Sequence, residues 1–184
     1  DIGHYLPASI ELSAYALFLS FFIGLPLGFL AALQHHKLTD YGLLSVSLLG
    51  YSIPVFWLAL ILILGFSLQL GWFPLSGRLS LIFEIPSITG FILIDILLSD
   101  SIDKQSALID ALRHLILPTL SIAIVTTTLI LRITRRSVIE TLNSEFILAA
   151  YARGLTPRQV LMRHGVRNAL IPIWPLLAMQ FPTL

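Results

Sequence analysis

The sequence predicts an all-α protein, a polytopic bundle of transmembrane helices. Three observations lead there. Of 184 residues, 57% are apolar and only 11% are charged, against about 25% charged in a soluble domain. The sparse charges leave four long gaps: 25 uncharged residues between Glu11 and Lys37, 37 between Asp40 and Arg78, 18 between Arg113 and Arg132, and 17 after Arg167. The segments between the gaps differ sharply in charge. Disordered chains and ordinary soluble enzymes do not have this composition. The net charge of +1 argues neither for nor against a nucleic-acid partner, and with no cysteine there is no disulfide framework, thiolate metal site or cysteine nucleophile.

A spanning helix needs about 20 mostly apolar residues. We therefore expect spans near 11–33, 43–68, 115–132 and 168–184 within a single domain covering 1–184. Helix is required because hydrocarbon offers no water to satisfy backbone N–H and C=O groups. The start at Asp1 without a methionine and the end at Leu184 inside an apolar run lead us to expect a fragment of a longer protein. No basic stretch followed by a short apolar region opens the chain, so no signal peptide is visible.

Orientation follows from the basic residues. Residues 78–113 carry three, Arg78, Lys104 and Arg113, against five carboxylates, Glu84, Asp95, Asp100, Asp103 and Asp110. Residues 132–167, an equally long segment, carry seven arginines against Glu140 and Glu145. Lys and Arg counts set topology, so the second segment is expected in the cytoplasm and the first outside. The loop Gln34–Asp40 then also faces the cytoplasm. The acidity of the outer segment suits capture of cationic cargo or docking of a binding protein.

The spans carry packing marks. Ser20, Gly24 and Gly28 recur every fourth residue, a spacing that lets helix backbones approach closely. Pro54 interrupts the second span and frees a backbone carbonyl. Ser52, Pro54 and Thr126 are candidate pathway residues. The run Thr126-Thr127-Thr128 could equally bond its own backbone. No ionisable side chain lies near the middle of a span, which disfavours a proton or ion relay of the secondary-transporter type. Outside, Gly71-Trp72-Phe73-Pro74-Leu75-Ser76-Gly77 reads as a turn with Trp72 and Phe73 as interfacial anchors. Residues 85–94 read as an interfacial or re-entrant piece. No nucleophile and base meet at membrane depth: His114 and His164 sit at span ends without a serine or metal constellation. His35-His36 lacks the further ligands that a metal needs, so neither a catalytic residue nor a metal site is expected.

Segment 133–167 punctuates itself into short helices. Arg132–Leu142 continues the third span, and Asn143-Ser144 starts the next helix. Gly154 suits a helix C-terminal cap. Thr156 is a good N-cap, Pro157 suits the first helical position, and Gln159 completes a capping box. The result is a compact basic helix–turn–helix element. A lever mechanism would need continuous helices at 132–142 and after 157.

Ala149-Ala150-Tyr151-Ala152-Arg153-Gly154-Leu155, followed by Arg163-His164-Gly165-Val166-Arg167-Asn168-Ala169-Leu170-Ile171-Pro172, resembles the cytoplasmic coupling loop of ABC-importer permease subunits of the oligopeptide, dipeptide and nickel branch. Ser52-Ile53-Pro54-Val55-Phe56-Trp57-Leu58, Pro74-Leu75-Ser76-Gly77 and Arg113-His114-Leu115-Ile116-Leu117-Pro118 are similar to further motifs of that branch, in its order. Ile88-Thr89-Gly90-Phe91, Ile94-Asp95 and Leu98-Ser99-Asp100 look most like its Sap-type peptide permeases. There are departures. Leu148 stands where the broad importer motif has glutamate, Tyr151 where the branch has arginine, and Arg153 where it has lysine.

The resemblance implies a multi-pass bacterial inner-membrane permease that does no covalent chemistry itself. It would lack the family's first span and everything after the early part of the fifth. It implies a homologous second permease, two cytoplasmic ATPase subunits, a periplasmic substrate-binding protein and membrane lipid as partners, with no nucleic acid. ATP and Mg would sit in the partner subunits, and the chain has no Walker-type loop of its own. Residues 149–155 would dock the ATPases, and Arg163, His164, Arg167, Asn168 and Pro172 would support them. The implied cargo is peptide, including cationic antimicrobial peptides, with polyamines or nickel as alternatives within the branch.

Overall fold

A computed structural model describes residues 2–99, 103–161 and 165–180, and among these the regular structure is helical throughout. Two helices dominate, α1 (Ile2–Leu33) and α5 (Lys104–Leu142). Between them lie α2 (Leu38–Ser52), α3 (Val55–Leu62), a π-helical segment (Ile63–Gln69) and the short α4 (Ile92–Leu98). After α5 come α6 (Glu145–Ala152), α7 (Pro157–Val160), α8 (Val166–Leu170) and α9 (Ile173–Gln180). Residues 6–33 and 104–142 are long and apolar enough to cross a membrane, and a third span exists if α2, α3 and the π segment are one broken span. The break falls at Pro54, as expected. Residues 168–184 fall in α8, α9 and the stretch 181–184, which lies outside the described residues.

α5 begins at Lys104, well before the span expected from 115. Its 39 residues extend about 58 Å at 1.5 Å per residue, nearly twice the thickness of a hydrocarbon core. Charge gaps locate the part of a helix that lies in lipid, not the part that continues into water. Pro118 sits inside this helix. The chain after Pro157 is not one continuous helix: α8 and α9 are separated by a turn at Ile171–Pro172, where the proline has no N–H to continue the hydrogen-bond ladder. Only α5 meets the continuity that a lever requires.

The chain forms two compact units, one from Asp1–Ala16 and Ile53–Ala123, the other from Leu17–Ser52 and Ile124–Thr183. In the first, Glu11 is buried and gathers the connecting segment. It accepts hydrogen bonds from Arg78 at 2.7 Å and from the backbone N–H groups of Ile92 and Leu93 at 3.1 and 3.3 Å. The same guanidinium donates to the Gly90 carbonyl at 2.9 Å. Gly90 has φ +83°, and a Cβ there would lie 2.9 Å from Pro7, so only glycine meets both constraints. Ile96, Ala107 and Ala111 form a small core with Phe83, Ile92 and Leu108 packed against it.

The connecting segment is therefore a folded lobe, and its carboxylates are mostly committed. Asp95 is buried. It accepts from the Thr89 hydroxyl at 2.6 Å and from the Thr89 and Gly90 N–H groups at 2.7 and 3.0 Å. Burial pushes its carboxyl up, but these hydrogen bonds outweigh burial and hold it below the ordinary range. Asp110 accepts from the Ser80 N–H and hydroxyl at 2.7 and 2.9 Å. Asp103 accepts from the Ser106 N–H in the first turn of α5. Asp100 lies outside the described residues. The expectation of an acidic surface open to cationic cargo fails at Asp95, because its charge is spent on local backbone donors. Nor are residues 85–94 one piece: 85–91 are non-helical, and helix starts at Ile92.

In the second unit, the stripe of small residues packs helix on helix. A Cβ at Gly24 would lie 2.9 Å from the Thr127 carbonyl oxygen. One at Gly28 would lie 2.6 Å from the Thr134 Cβ and 2.8 Å from the Leu131 carbonyl oxygen. Ser20 is wholly buried. Thr128 donates to the Ile124 carbonyl at 3.0 Å, which is the backbone-bonding alternative. Gly28→Ala forces the helices apart, and overpacking of this kind costs about 1–3 kcal/mol. We expect a lower thermal midpoint for the purified full-length variant, and an unchanged midpoint would show that the helices part freely here.

Candidate functional site

The arginine-rich segment holds the most sharply built local element. α6 ends in a Schellman cap: the Gly154 N–H donates to the Tyr151 carbonyl at 2.9 Å and the Leu155 N–H to the Ala150 carbonyl at 3.3 Å. Gly154 has φ +83° with open space around it. The chain restarts at once. The Thr156 N–H donates to Gln159 Oε1 at 2.9 Å, and the Gln159 N–H to Thr156 Oγ1 at 3.4 Å. This reciprocal pair is the capping box expected from the spacing.

Ile147, Ala150 and Val160 are fully buried beneath the turn, with Leu155 packed against them. Ala149, Tyr151, Ala152, Arg153 and Gly154 are exposed, and so is Leu148. Ala150 therefore packs the inside of the element rather than contributing to its outer face. The face that remains combines small residues with Leu148 and Tyr151, 63% and 42% exposed, and one arginine. Tyrosine and arginine are enriched at protein–protein interfaces, so Tyr151 and Arg153 are the residues of this face best suited to contact with another protein.

The supporting residues divide. Arg167 and Pro172 are exposed and Asn168 is half-buried. Arg163 and His164 lie outside the described residues. The neighbouring Ala169 joins Ala32 and Val138 in a buried cluster, and its carbonyl accepts from Ser137 at 2.8 Å. Of the pathway candidates, Ser52 and Pro54 are exposed and Thr126 is buried. Ser52 donates to the Leu48 carbonyl at 2.8 Å.

The sequence reading missed the residue pair that ties this end of the unit together. Asp40 is buried and accepts two hydrogen bonds from Arg135, at 2.6 and 2.7 Å. The His36 N–H adds a third at 3.1 Å, and His35 Nδ1 lies 3.1 Å from the same carboxylate. His36 takes φ +65° to make this turn. The signal was faint: an acidic residue alone in a basic loop, 95 positions from its partner.

Residues 24–184 match the family described as binding-protein-dependent transport system inner membrane component. The chain belongs to this family. It is 46% identical over 178 residues to the di/tripeptide transport system permease protein DppB of Pseudomonas aeruginosa, covering 97% of this chain and 52% of that protein. It is 44% identical to the putrescine export system permease protein SapB of Escherichia coli strain K12, over 97% of this chain and 56% of that one. Identity to the peptide transport system permease protein SapB of Salmonella typhimurium is 43%, with the same coverage. The chain spans about half the length of the curated relatives it matches. Membership agrees with the family resemblance of the sequence, and both Sap-named and di/tripeptide-named relatives stand at this level of identity.

Proposed function

We propose that this chain is the membrane-spanning part of a permease subunit in an ATP-driven importer of peptides in the bacterial inner membrane. On this reading the arginine-rich segment faces the cytoplasm, and the exposed face of α6 with its Gly154 turn docks an ATPase subunit. Two such subunits bind ATP and Mg. A homologous permease completes the path, and a periplasmic binding protein delivers the cargo. The observation that supports it most is the self-contained element from Glu145 to Val160, rigid through its own core and caps. A two-residue link, Asn143-Ser144, joins it to the long α5, so a push on α6 reaches a helix long enough to carry it through the membrane.

The test is ATPase stimulation in the full-length assembly reconstituted in lipid. Short peptides with the cognate binding protein should raise ATP turnover several-fold, while nickel should not. Putrescine is the informative third arm, since one relative's name concerns its export. Stimulation by putrescine or nickel alone would replace the peptide reading. Peptide uptake that continues without ATP would remove the ATPase partners.

A further inference from the structure

We propose that a cavity beside His114 receives the ring of a tyrosine or tryptophan side chain on a peptide in transit. The assignment of the ring's source rests on the peptide-permease reading, whereas the chemistry of the cavity does not.

The cavity lies within the first unit and has a volume of about 180 Å³, lined by Ala59, Ile63, Pro74, Leu117, Pro118 and His114 among others. A dry apolar cavity of about 150 Å³ is enough to hold a benzene ring, so one aromatic side chain fits and a whole peptide does not. No carboxylate, lysine or arginine lines it. A charged group entering would leave its charge unpaired.

One polar atom gives the cavity its selectivity. His114 is nine-tenths buried, and its Nδ1 lies 2.9 Å from the Asp110 carbonyl oxygen. A carbonyl only accepts, so Nδ1 carries a proton, with the Asp110 carboxylate 3.5 Å from the same nitrogen; in the tautomer this selects, Nε2 is the acceptor. That edge of the ring is turned toward Gly77, another lining residue: a Cβ on Gly77 would lie 3.9 Å from Nε2. The hydroxyl of Ser121 also borders the space, but it already donates to the Pro118 carbonyl at 2.8 Å. The cavity thus offers mostly apolar walls, the hydroxyls of Ser76 and Ser121, and one ring-nitrogen acceptor. A phenol O–H or an indole N–H satisfies that acceptor, while a phenylalanine ring would bury it unpaired.

The backbone is irregular where the cavity forms. Ile63 opens the π-helical segment, and Pro118 interrupts the α5 hydrogen-bond ladder at the His114 carbonyl. π-Helical turns occur mostly at functional sites. Here both irregularities border the same space.

The experiment uses the full-length protein in its assembled transporter in lipid nanodiscs, with p-cresol, 3-methylindole and toluene as probes followed by ligand-observed NMR. p-Cresol and 3-methylindole should bind about fivefold tighter than toluene, the worth of one neutral hydrogen bond. His114→Phe should erase that preference while retaining toluene, and Ala59→Trp should exclude all three. Equal binding of the probes by wild type, or binding unaffected by Ala59→Trp, overturns the cavity chemistry. Uptake of a tyrosine tripeptide against its phenylalanine analogue tests the source of the ring. The ratio should fall about fivefold in His114→Phe, and a ratio that does not move overturns the cargo assignment. If wild type takes up neither tripeptide, the permease reading fails and the cargo assignment with it, while the probe preference still decides the cavity.

Discussion

On the docking reading proposed above, replacing Gly154 by valine should abolish uptake and sharply lower recovery of the ATPase subunits with the full-length permease, while the protein stays in the membrane at wild-type levels. The backbone there has φ +83° and a Cβ would meet nothing within 4 Å, so the substitution acts through conformation alone. A side chain in the left-handed region costs roughly 1–2 kcal/mol, and more for a β-branched one. Few contacts hold this turn: the two capping bonds and the packing of Leu155 on Ile147, Ala150 and Val160. Valine moves the backbone out of the left-handed region, the Leu155 bond to Ala150 breaks, and the exposed face of α6 no longer meets α7 at a fixed angle. Asparagine tolerates this region better, so Gly154→Asn should keep a substantial part of both readouts. If Gly154 only ends a helix in a loop that touches nothing, valine will co-purify with its ATPases and transport normally. Those two wild-type values together would remove the docking role.

What the sequence made legible is local. Gly154, the Thr156-Pro157-Gln159 restart, the Pro54 break and the Ser20–Gly24–Gly28 stripe each depend on residues within a few positions of one another, and each stands where its spacing placed it. The features that escaped depend on partners far along the chain. Glu11 looks like the last charge before a span, yet its donors are Arg78, Ile92 and Leu93, 67 to 82 positions away. Asp95 looks like surface acidity, yet loop closure turns three donors onto it. The start of α5 was misplaced for another reason. Its first turns carry Lys104, Asp110 and Arg113, which mark the edge of lipid and say nothing about where helix begins. The π-helical segment left no trace, because Ile63–Gln69 carries no proline or charge that sets it apart from the α3 turns before it.

The same long-range blindness hid the interaction with the largest expected effect on stability. Asp40→Ala leaves the Arg135 guanidinium, whose side chain is 19% exposed, without its carboxylate. Breaking one side of a buried pair costs about 3–5 kcal/mol, chiefly because the remaining charge is buried uncompensated. The loss should be compound here, since Asp40 also accepts the His36 N–H that fixes the turn from α1 into α2. Arg135→Lys should recover little: a lysine presents a point charge, and the two bonds to Asp40 at 2.6 and 2.7 Å need a planar fork. Arg135→Met in the Asp40→Ala background removes the orphaned charge. It should restore more than half of the lost stability, while leaving the turn at His36 unsupported. Denaturant unfolding of the purified full-length protein in detergent compares wild type with all three variants. If Asp40→Ala lies within about 1 kcal/mol of wild type, the pair behaves as a solvated surface bridge. If the double variant is no more stable than Asp40→Ala, the cost comes from the lost turn contact rather than from the orphaned guanidinium.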